Sequence, residues 1–377
     1  MSMRLAYDDT HETFRDSVRR FLEREMLPHI ARWEEQGHPD PSFWLAAGAA
    51  GLLCPSVPEE YGGPGLDFRY NAIVDEEIAR TGYVITLALQ SDLLCDYLLS
   101  YAPEALKAQW LPKMVNGEAL AAIAMSEPGA GSDLQAIRTT ARRDGDHYVI
   151  NGSKTYISCG LTADIVVVVA KTDPEKGAKG TSLILVEATR EGFRRGRKLD
   201  KIGQHATDTA ELFFDDVRVP VTNLIGNENG GFLHLIQQLP RERLSMAVSA
   251  QAAAQRAFDE TVAFTKDRAA FGKKVFDFQN TRFTLADLAA KLQVGWAHID
   301  WVLLRYVAGE LTAEQAASAK LWHSELQWQI VDFGLQMHGG AGYMNEYPIA
   351  RMWRDARVQR IYGGTSEIMK EVIGRSL

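Results

Sequence analysis

The feature that most constrains this chain is that its hydrophobic period changes twice. Toward the N-terminus, apolar residues recur at helical spacing, and Phe14, Val18, Phe21 and Leu22 share one helical face. Between Tyr148 and Pro220 short runs of β-branched and aromatic residues take over: Tyr148-Val149-Ile150, Ile165 to Val169, Leu183 to Val186 and Leu212-Phe213-Phe214. Gly, Asn and Asp clusters separate these runs, as turns separate strands. From Gly230 the helical period returns, and Leu285, Leu288, Leu292, Trp296, Ile299 and Leu303 form one long stripe. The predicted fold class is therefore α+β: helices, then a β domain, then a helical bundle. The strands follow one another too closely for crossover helices, which predicts an antiparallel sheet or small barrel and not a Rossmann unit. A chain of 377 residues exceeds one ordinary core. Three domains are expected, at residues 1–120, 121–232 and 233–377.

Local signals sharpen this outline. Asp9 with Glu12 marks a helix start, and Pro41 after Asp40 marks another that runs to Ala50 and closes at Gly51. Pro55 to Gly65 reads as a loop, with helix again from about Arg69 and from Pro103 to Val115. Thr312 with Gln315 predicts a capping box for a helix carrying Leu321, Leu326, Ile330 and Phe333. Such stripes are core or subunit interface. The run Val166 to Val169 reads as a fully buried strand.

Charge and cysteine content exclude several functions. The formal net charge of -8 argues against a non-specific nucleic-acid binder. Cys54, Cys95 and Cys159 form no C-x-x-C pair, which argues against a disulfide framework or a zinc site, and no metal site is expected. The apolar run from Ile165 to Ala170 is too short to span a bilayer. Met1 to Glu12 is polar and acidic, with neither the apolar core of a secretory signal nor the basic look of a transit peptide. A bacterial cytoplasmic location is expected.

One segment invites a ligand. Ala124-Met125-Ser126-Glu127-Pro128-Gly129-Ala130-Gly131-Ser132-Asp133 combines glycines, which let backbone approach a ligand, with two serine hydroxyls. Read alone it is a Gly-rich turn. Leu134 breaks the G-x-G-x-x-G pattern, and neither a P-loop nor H-E-x-x-H occurs.

The segment resembles the flavin-binding signature of acyl-CoA dehydrogenases. Further segments resemble that family in the same order: Pro58-Glu59-Glu60-Tyr61-Gly62-Gly63, Asn151 to Ser158, Arg268-Ala269-Ala270-Phe271-Gly272, Gln336 to Tyr343, and Arg354-Asp355-Ala356-Arg357 leading to Ile361-Tyr362-Gly363-Gly364-Thr365. The resemblance covers essentially the whole chain and implies FAD as cofactor. By position, Met125 and Ser126 resemble residues that bond the flavin pyrimidine edge. Tyr156 stands where the family usually has Trp against the ring, and Ser158 where a hydroxyl reaches flavin N5. Arg268 and Phe271 resemble groups that a neighbouring subunit lays against the FAD pyrophosphate and adenosine. Gln336, Gly339 and Gly340 resemble a second cross-subunit contact. Thr365 and Glu367 resemble contacts near the diphosphate–ribose end, and Ser132 one near the pantetheine–thioester end of the substrate.

The base is where the chain departs from the commonest pattern. Many members resemble Tyr-Glu-Gly-Thr near the C-terminus, with that Glu as base. Here the segment is Tyr362-Gly363-Gly364-Thr365, and Gly363 cannot take a proton. Leu239-Pro240-Arg241-Glu242-Arg243-Leu244 instead resembles the long-chain and isovaleryl branches, in which the base comes from the helix that this segment is expected to open. Read alone, Glu242 is a surface salt-bridge residue. The resemblance implies that it takes the α proton, and that the Gly363 N–H joins a ribityl hydroxyl of FAD in polarising the thioester oxygen. Arg243 resembles a group holding the nucleotide end of CoA, and its planar fork suits phosphate. Tyr362 is placed beside the thioester or in plain core. Leu87, Leu89, Leu93 and Leu94, within Thr86 to Leu99, would suit an apolar acyl tail.

The expected function is thus FAD-dependent α,β-dehydrogenation of an acyl-CoA, with long or branched acyl groups favoured. Electrons would pass to an electron-transfer flavoprotein. The cross-subunit motifs imply a homo-oligomer, usually a tetramer. Rival readings are an acyl-CoA oxidase, expected to carry an extra C-terminal domain, and a nucleic-acid-associated relative, expected to carry an added basic C-terminal region. A flavin monooxygenase or nitroalkane-oxidising relative would not require Glu242 and Gly363 together.

Overall fold

The computed structural model describes residues 4–377. Six helices come first: α1 (Asp9–Glu25), α2 (Ile30–Gln36), α3 (Pro41–Ala49), α4 (Phe68–Arg80), α5 (Cys95–Tyr101) and α6 (Glu104–Val115). Asp8 caps α1 by accepting from the Thr10 and His11 amides. The cap therefore lies one residue before Asp9, whose own backbone is already helical. Helix α3 begins at Pro41, as its sequence predicts. Helix α2 was not foreseen; seven residues closed by left-handed Gly37 are too few to show a period. A π-helical turn, Leu89–Leu94, runs straight into α5. Such turns place a side chain where a regular helix could not.

The strands are β1 (Ala121–Ala124), β2 (Thr140–Asp144), β3 (His147–Ser158), β4 (Ile165–Lys171), β5 (Thr181–Glu187), β6 (Phe193–Lys198), β7 (Thr209–Pro220) and β8 (Leu224–Ile225). They form one sheet in the order β6-β7-β3-β2-β4-β5-β8, with β1 attached to β4. The sheet is mixed and not wholly antiparallel: β1 runs parallel to β4, and β2 meets β4 through one parallel pairing. Ala121-Ala122-Ile123-Ala124 is made of good helix formers, so nothing local announces a strand there. Its small side chains let it lie beside the wholly buried Ile165 to Ala170.

Five helices complete the chain: α7 (Gly231–Asp267), α8 (Gln279–Val307), α9 (Ala313–His338), α10 (Pro348–Ala356) and α11 (Ser366–Gly374). Helix α7 is the spine, packing on α4, α8, α9 and α10. Its Ala247, Ala250, Ala254 and Ala257, with Ala316 and Ala319 of α9, are fully buried and leave room for close helix approach. The Thr312–Gln315 capping box forms as its sequence predicts. Leu285, Leu288, Leu292, Ile299 and Leu303 of the α8 stripe are buried.

Among the described residues, no helix is long and apolar enough to cross a membrane. No cluster of three or more His, Cys, Asp or Glu there could hold a metal. All three cysteines are buried free thiols.

One side chain couples the first helices to the sheet. Gln90 Nε2 donates to the Ala121 carbonyl at 2.9 Å, and the Ala121 N–H donates to Gln90 Oε1 at 2.8 Å. This fixes the start of β1, four residues before Met125. Gln90→Leu leaves both backbone groups without that partner and should lower stability by about 2–4 kcal/mol. Urea unfolding followed by circular dichroism measures it; a loss below about 0.5 kcal/mol would show that the clamp is not structural.

Candidate active site

Helix α7 carries Glu242 into the interior. The helix starts at Gly231, so Leu239 to Leu244 lies about three turns inside it and does not open it. Pro240 lies inside the helix, which runs on through it. Glu242 is 9% exposed, and its Oε2 has no hydrogen-bond partner among the described residues. Burial raises its pKa; the positive charges of Arg243 and Lys320 oppose that rise.

Opposite Glu242 stands a turn without side chains. Gly363 has φ +62° and Gly364 φ +98°, both in the left-handed region that favours glycine. A Cβ at Gly363 would collide with the Met246 thioether and stand 3.4 Å from Glu242 Oε1. The carboxylate and the glycine thus share one small space. The Gly363 N–H donates no hydrogen bond among the described residues.

Two cations border this space. Arg243 is buried, its Nε lacks a partner, and burial lowers its pKa. Lys320 of α9 is 1% exposed and donates through Nζ to the Gly364 carbonyl at 2.6 Å. Burial, with Arg243 nearby, lowers its pKa to about 8. The Tyr362 hydroxyl accepts from Gln204 Nε2 at 3.5 Å, and burial pushes its pKa up to about 12. The Gln204 amide donates to Asp355. The loop before β7 is thereby joined to the C-terminal turn.

A second group gathers where β1 ends. The Thr155 amide donates to the Ser126 carbonyl at 3.0 Å, placing Met125 and Ser126 beside the end of β3. Lys154 is fully buried; it donates to the Met125 carbonyl and pairs with Glu127, both at 2.9 Å. Glu127 also accepts from the Arg138 and Thr139 amides. Tyr156 is 72% exposed at φ +61°, on an irregular stretch of β3 between Lys154 and Ile157. Ser158 is half-buried and Ser132 is exposed.

A third group lies elsewhere. Arg268, Gly339 and Gly340 line one cavity of about 310 Å³ with Phe264 and His338. Phe271 follows on a short hairpin, 96% exposed at φ +50°. Gln336 borders a different cavity, of about 680 Å³, with Trp322, Leu326 and Phe333. Arg268 closes α7 26 residues beyond Glu242, which is ~39 Å along a helix. Within one chain these residues are therefore remote from Glu242. Thr365 caps α11 by accepting from the Ile368 amide, and Glu367 is exposed. Leu87 and Leu94 are fully buried, and Leu89 and Leu93 half-buried.

Sequence reasoning missed Lys320, Met246 and the Lys154–Glu127 pair. A signal existed for Lys320, because it falls on the helical stripe of Ala316, Ser324 and Gln327, all buried. Nothing in the sequence marks Met246 as the neighbour of Gly363.

The fold of helices, sheet and helices thus holds a buried carboxylate, without a hydrogen-bond partner at Oε2 among the described residues, facing a bare turn. Three family models match in sequence: the acyl-CoA dehydrogenase N-terminal domain at residues 8–118, middle domain at 122–217 and C-terminal domain at 229–377. The chain belongs to the acyl-CoA dehydrogenase family of enzymes. It is 46% identical to the mitochondrial long-chain specific acyl-CoA dehydrogenase of Sus scrofa, over 100% of this chain and 88% of that one. It is 36% identical to the mitochondrial isovaleryl-CoA dehydrogenase of Oryza sativa subsp. japonica, over 99% and 92%. The crystal structure of an acyl-CoA dehydrogenase from Geobacillus kaustophilus superposes with a TM-score of 0.97 at 45% identity, covering 99% of both chains. That of a glutaryl-CoA dehydrogenase from Mycobacterium smegmatis in complex with FADH2 superposes at 0.91 with 26% identity, covering 98% and 95%.

The shared space around Gly363 has a direct test. Gly363→Ala places a Cβ at a left-handed position and should cost about 1–3 kcal/mol. Met246→Ala in the same chain should recover part of that cost, with a coupling of at least about 0.5 kcal/mol in a double-mutant cycle. Strict additivity would show that Met246 does not bound the turn.

Proposed function

We propose that this chain oxidises a saturated acyl-CoA to the trans-2-enoyl-CoA, with Glu242 as the base and FAD as the cofactor. The observation that carries this reading is the placement of the Glu242 carboxylate against Gly363, both the carboxylate Oε2 and the Gly363 N–H lacking a partner among the described residues. Catalysis at an α carbon needs both an acceptor for the proton and a donor for the thioester oxygen, and these two groups supply them side by side. Burial raises the pKa of Glu242, which makes it a better base than an exposed carboxylate. Glu367, a carboxylate just beyond the same turn, is exposed, which would suit a base poorly.

The residues present suit a flavin dinucleotide. A Cβ built on Gly129, Gly131, Gly339 or Gly340 meets nothing within 4 Å, so those backbones are open to close approach. Tyr156 and Phe271 expose aromatic faces from left-handed backbone, an arrangement that suits flat ligands. Met125, Ser126, Tyr156 and Ser158 would hold the flavin. Thr365 and Glu367 would hold its diphosphate–ribose end. Arg268, Phe271, Gln336, Gly339 and Gly340 would serve the FAD of a neighbouring subunit, in keeping with their distance from Glu242. FAD, when bound, supplies the acceptor for the hydride leaving the β carbon.

On the substrate side, Glu242 takes the α proton and Gly363 donates its N–H to the thioester oxygen. Arg243 holds the nucleotide end of CoA, Ser132 lies toward its pantetheine, and Tyr362 flanks the thioester. The domains divide at 1–120, 121–232 and 233–377, which puts Glu242 in the third. The enzyme works as a homo-oligomer, most simply a tetramer, in the cytoplasm, and passes electrons to an electron-transfer flavoprotein. Similarity to long-chain and isovaleryl-CoA dehydrogenases supports a long or branched acyl group.

Anaerobic mixing of the FAD-loaded protein with octanoyl-, palmitoyl- and isovaleryl-CoA should bleach the oxidised flavin with at least one of them. Glu242→Gln should retain FAD and bind acyl-CoA, yet slow bleaching by about 10²–10⁴-fold. In the native protein the rate should rise with pH, with its midpoint above that of an ordinary glutamate, because burial favours the protonated acid. Near-normal bleaching by Glu242→Gln would remove Glu242 from the mechanism.

A further inference from the structure

Lys320 is the buried charge that the proposed reaction leaves without a task. It sits on α9 at 1% exposure, and its one hydrogen bond among the described residues goes to a backbone carbonyl, Gly364 O, at 2.6 Å. No carboxylate lies within ion-pair distance of it among the described residues. The charges that act on it are Arg243, Glu242, Glu325 and Glu367, with burial and Arg243 both disfavouring its charged form. Burying an ammonium costs several kcal/mol unless something compensates. Methionine would fill a similar volume without that cost, so packing alone does not account for a lysine here.

The bond falls at the loosest point of the site. Gly363 and Gly364 are consecutive residues of left-handed backbone with no side chain to pack. Such a pair has the most conformational freedom to lose. Its flanks are tied: the Tyr362 amide donates to the Val358 carbonyl, and Thr365 caps α11. Between those ties, the Lys320 bond is the one hydrogen bond to the glycine pair among the described residues. A bond from a charged donor is about twice as strong as a neutral one.

We propose that Lys320 is a positioning residue: by holding the Gly364 carbonyl it fixes the bare turn, and so sets the Gly363 N–H and the Glu242 carboxylate at their working separation. The inference rests on the dehydrogenase reading. Glu242 is faced by Arg243 on its own helix, by Lys320 from α9, by Tyr97 from α5 and by Tyr362 from the turn. Both tyrosines have raised pKa values and stay neutral through the working range. Lys320 is therefore the only one of these groups that brings positive charge to the carboxylate from another element.

The test uses the FAD-loaded full chain, reduced anaerobically by whichever of octanoyl-, palmitoyl- or isovaleryl-CoA bleaches the native protein fastest. Lys320→Met should lower the limiting rate about 10–100-fold, somewhat less than deleting an oxyanion donor outright. Its half-saturation concentration should stay within about threefold, since the turn serves the reacting state more than binding. The acidic midpoint of its rate profile should move to higher pH, because a cation near Glu242 is gone. A merely structural lysine would lower the melting temperature and leave the folded enzyme's rate and midpoint unchanged, which would overturn the proposal. If Lys320→Met does not fold, Lys320→Gln decides: it keeps a donor without the charge, so the midpoint should still move up while the rate falls less. An unmoved midpoint there would equally overturn the proposal. If the native protein is not bleached by any of the three, the dehydrogenase reading fails separately. Hydrogen exchange at the amides of residues 363–365 then decides the positioning role, being faster in Lys320→Met if the lysine holds the turn and unchanged if it does not.

Discussion

The site depends on a carboxylate and a glycine occupying one space. Glu242 comes from the interior of α7 and Gly363 from the turn before α11, far apart in sequence and joined only by packing. A Cβ at 363 would collide with the Met246 thioether and touch the carboxylate at 3.4 Å. Glycine at 363 therefore leaves the space to Met246 and the carboxylate, and the left-handed backbone of that turn independently favours glycine. Steric and conformational demands point to the same residue, as they do where sequence and fold agree.

The depth of Glu242 follows from α7. Its alanine face lets α9 approach closely, and that approach brings Lys320 to the glycine turn. Glu242, Arg243 and Lys320 are all buried there, with little water-accessible surface between them. Charges there interact strongly, because solvent no longer screens them. Burial weakens the charged form of each one, and the cations partly restore that of the glutamate. The Glu242 carboxylate is thus subject to two opposing effects, desolvation against nearby positive charge. The second group shows the same economy, since the buried Lys154–Glu127 pair ties Met125 to β3 through backbone contacts.

Much of this was legible beforehand. The two changes of hydrophobic period predicted helices, sheet and helices, because core-facing residues must repeat at the spacing of the element that carries them. The capping box at Thr312 and the proline start at Pro41 were readable because they depend on neighbours a few residues apart. Helix α2 and strand β1 were not, one being too short for a period and the other made of alanines that favour helix. The parallel pairing of β1 with β4 joins residues 44 apart, a distance at which no local pattern speaks. The segment Leu239 to Leu244 does not open α7, which begins at Gly231 and runs through Pro240.

For the site, the chain makes plain which residue types are available: a glutamate between two arginines, a glycine pair before a threonine cap, and glycine-rich turns. Residue type and local backbone preference are properties of a few neighbouring positions, so they can be read from the chain. Which of these groups meet is set by the packing of the folded chain. It placed Glu242 against Gly363, set Lys320 on the Gly364 carbonyl, and left Arg268 ~39 Å away along the helix that carries Glu242. Contacts of this kind arise from the packing of whole helices, and the energy of packing is non-local, so no short stretch of sequence records it.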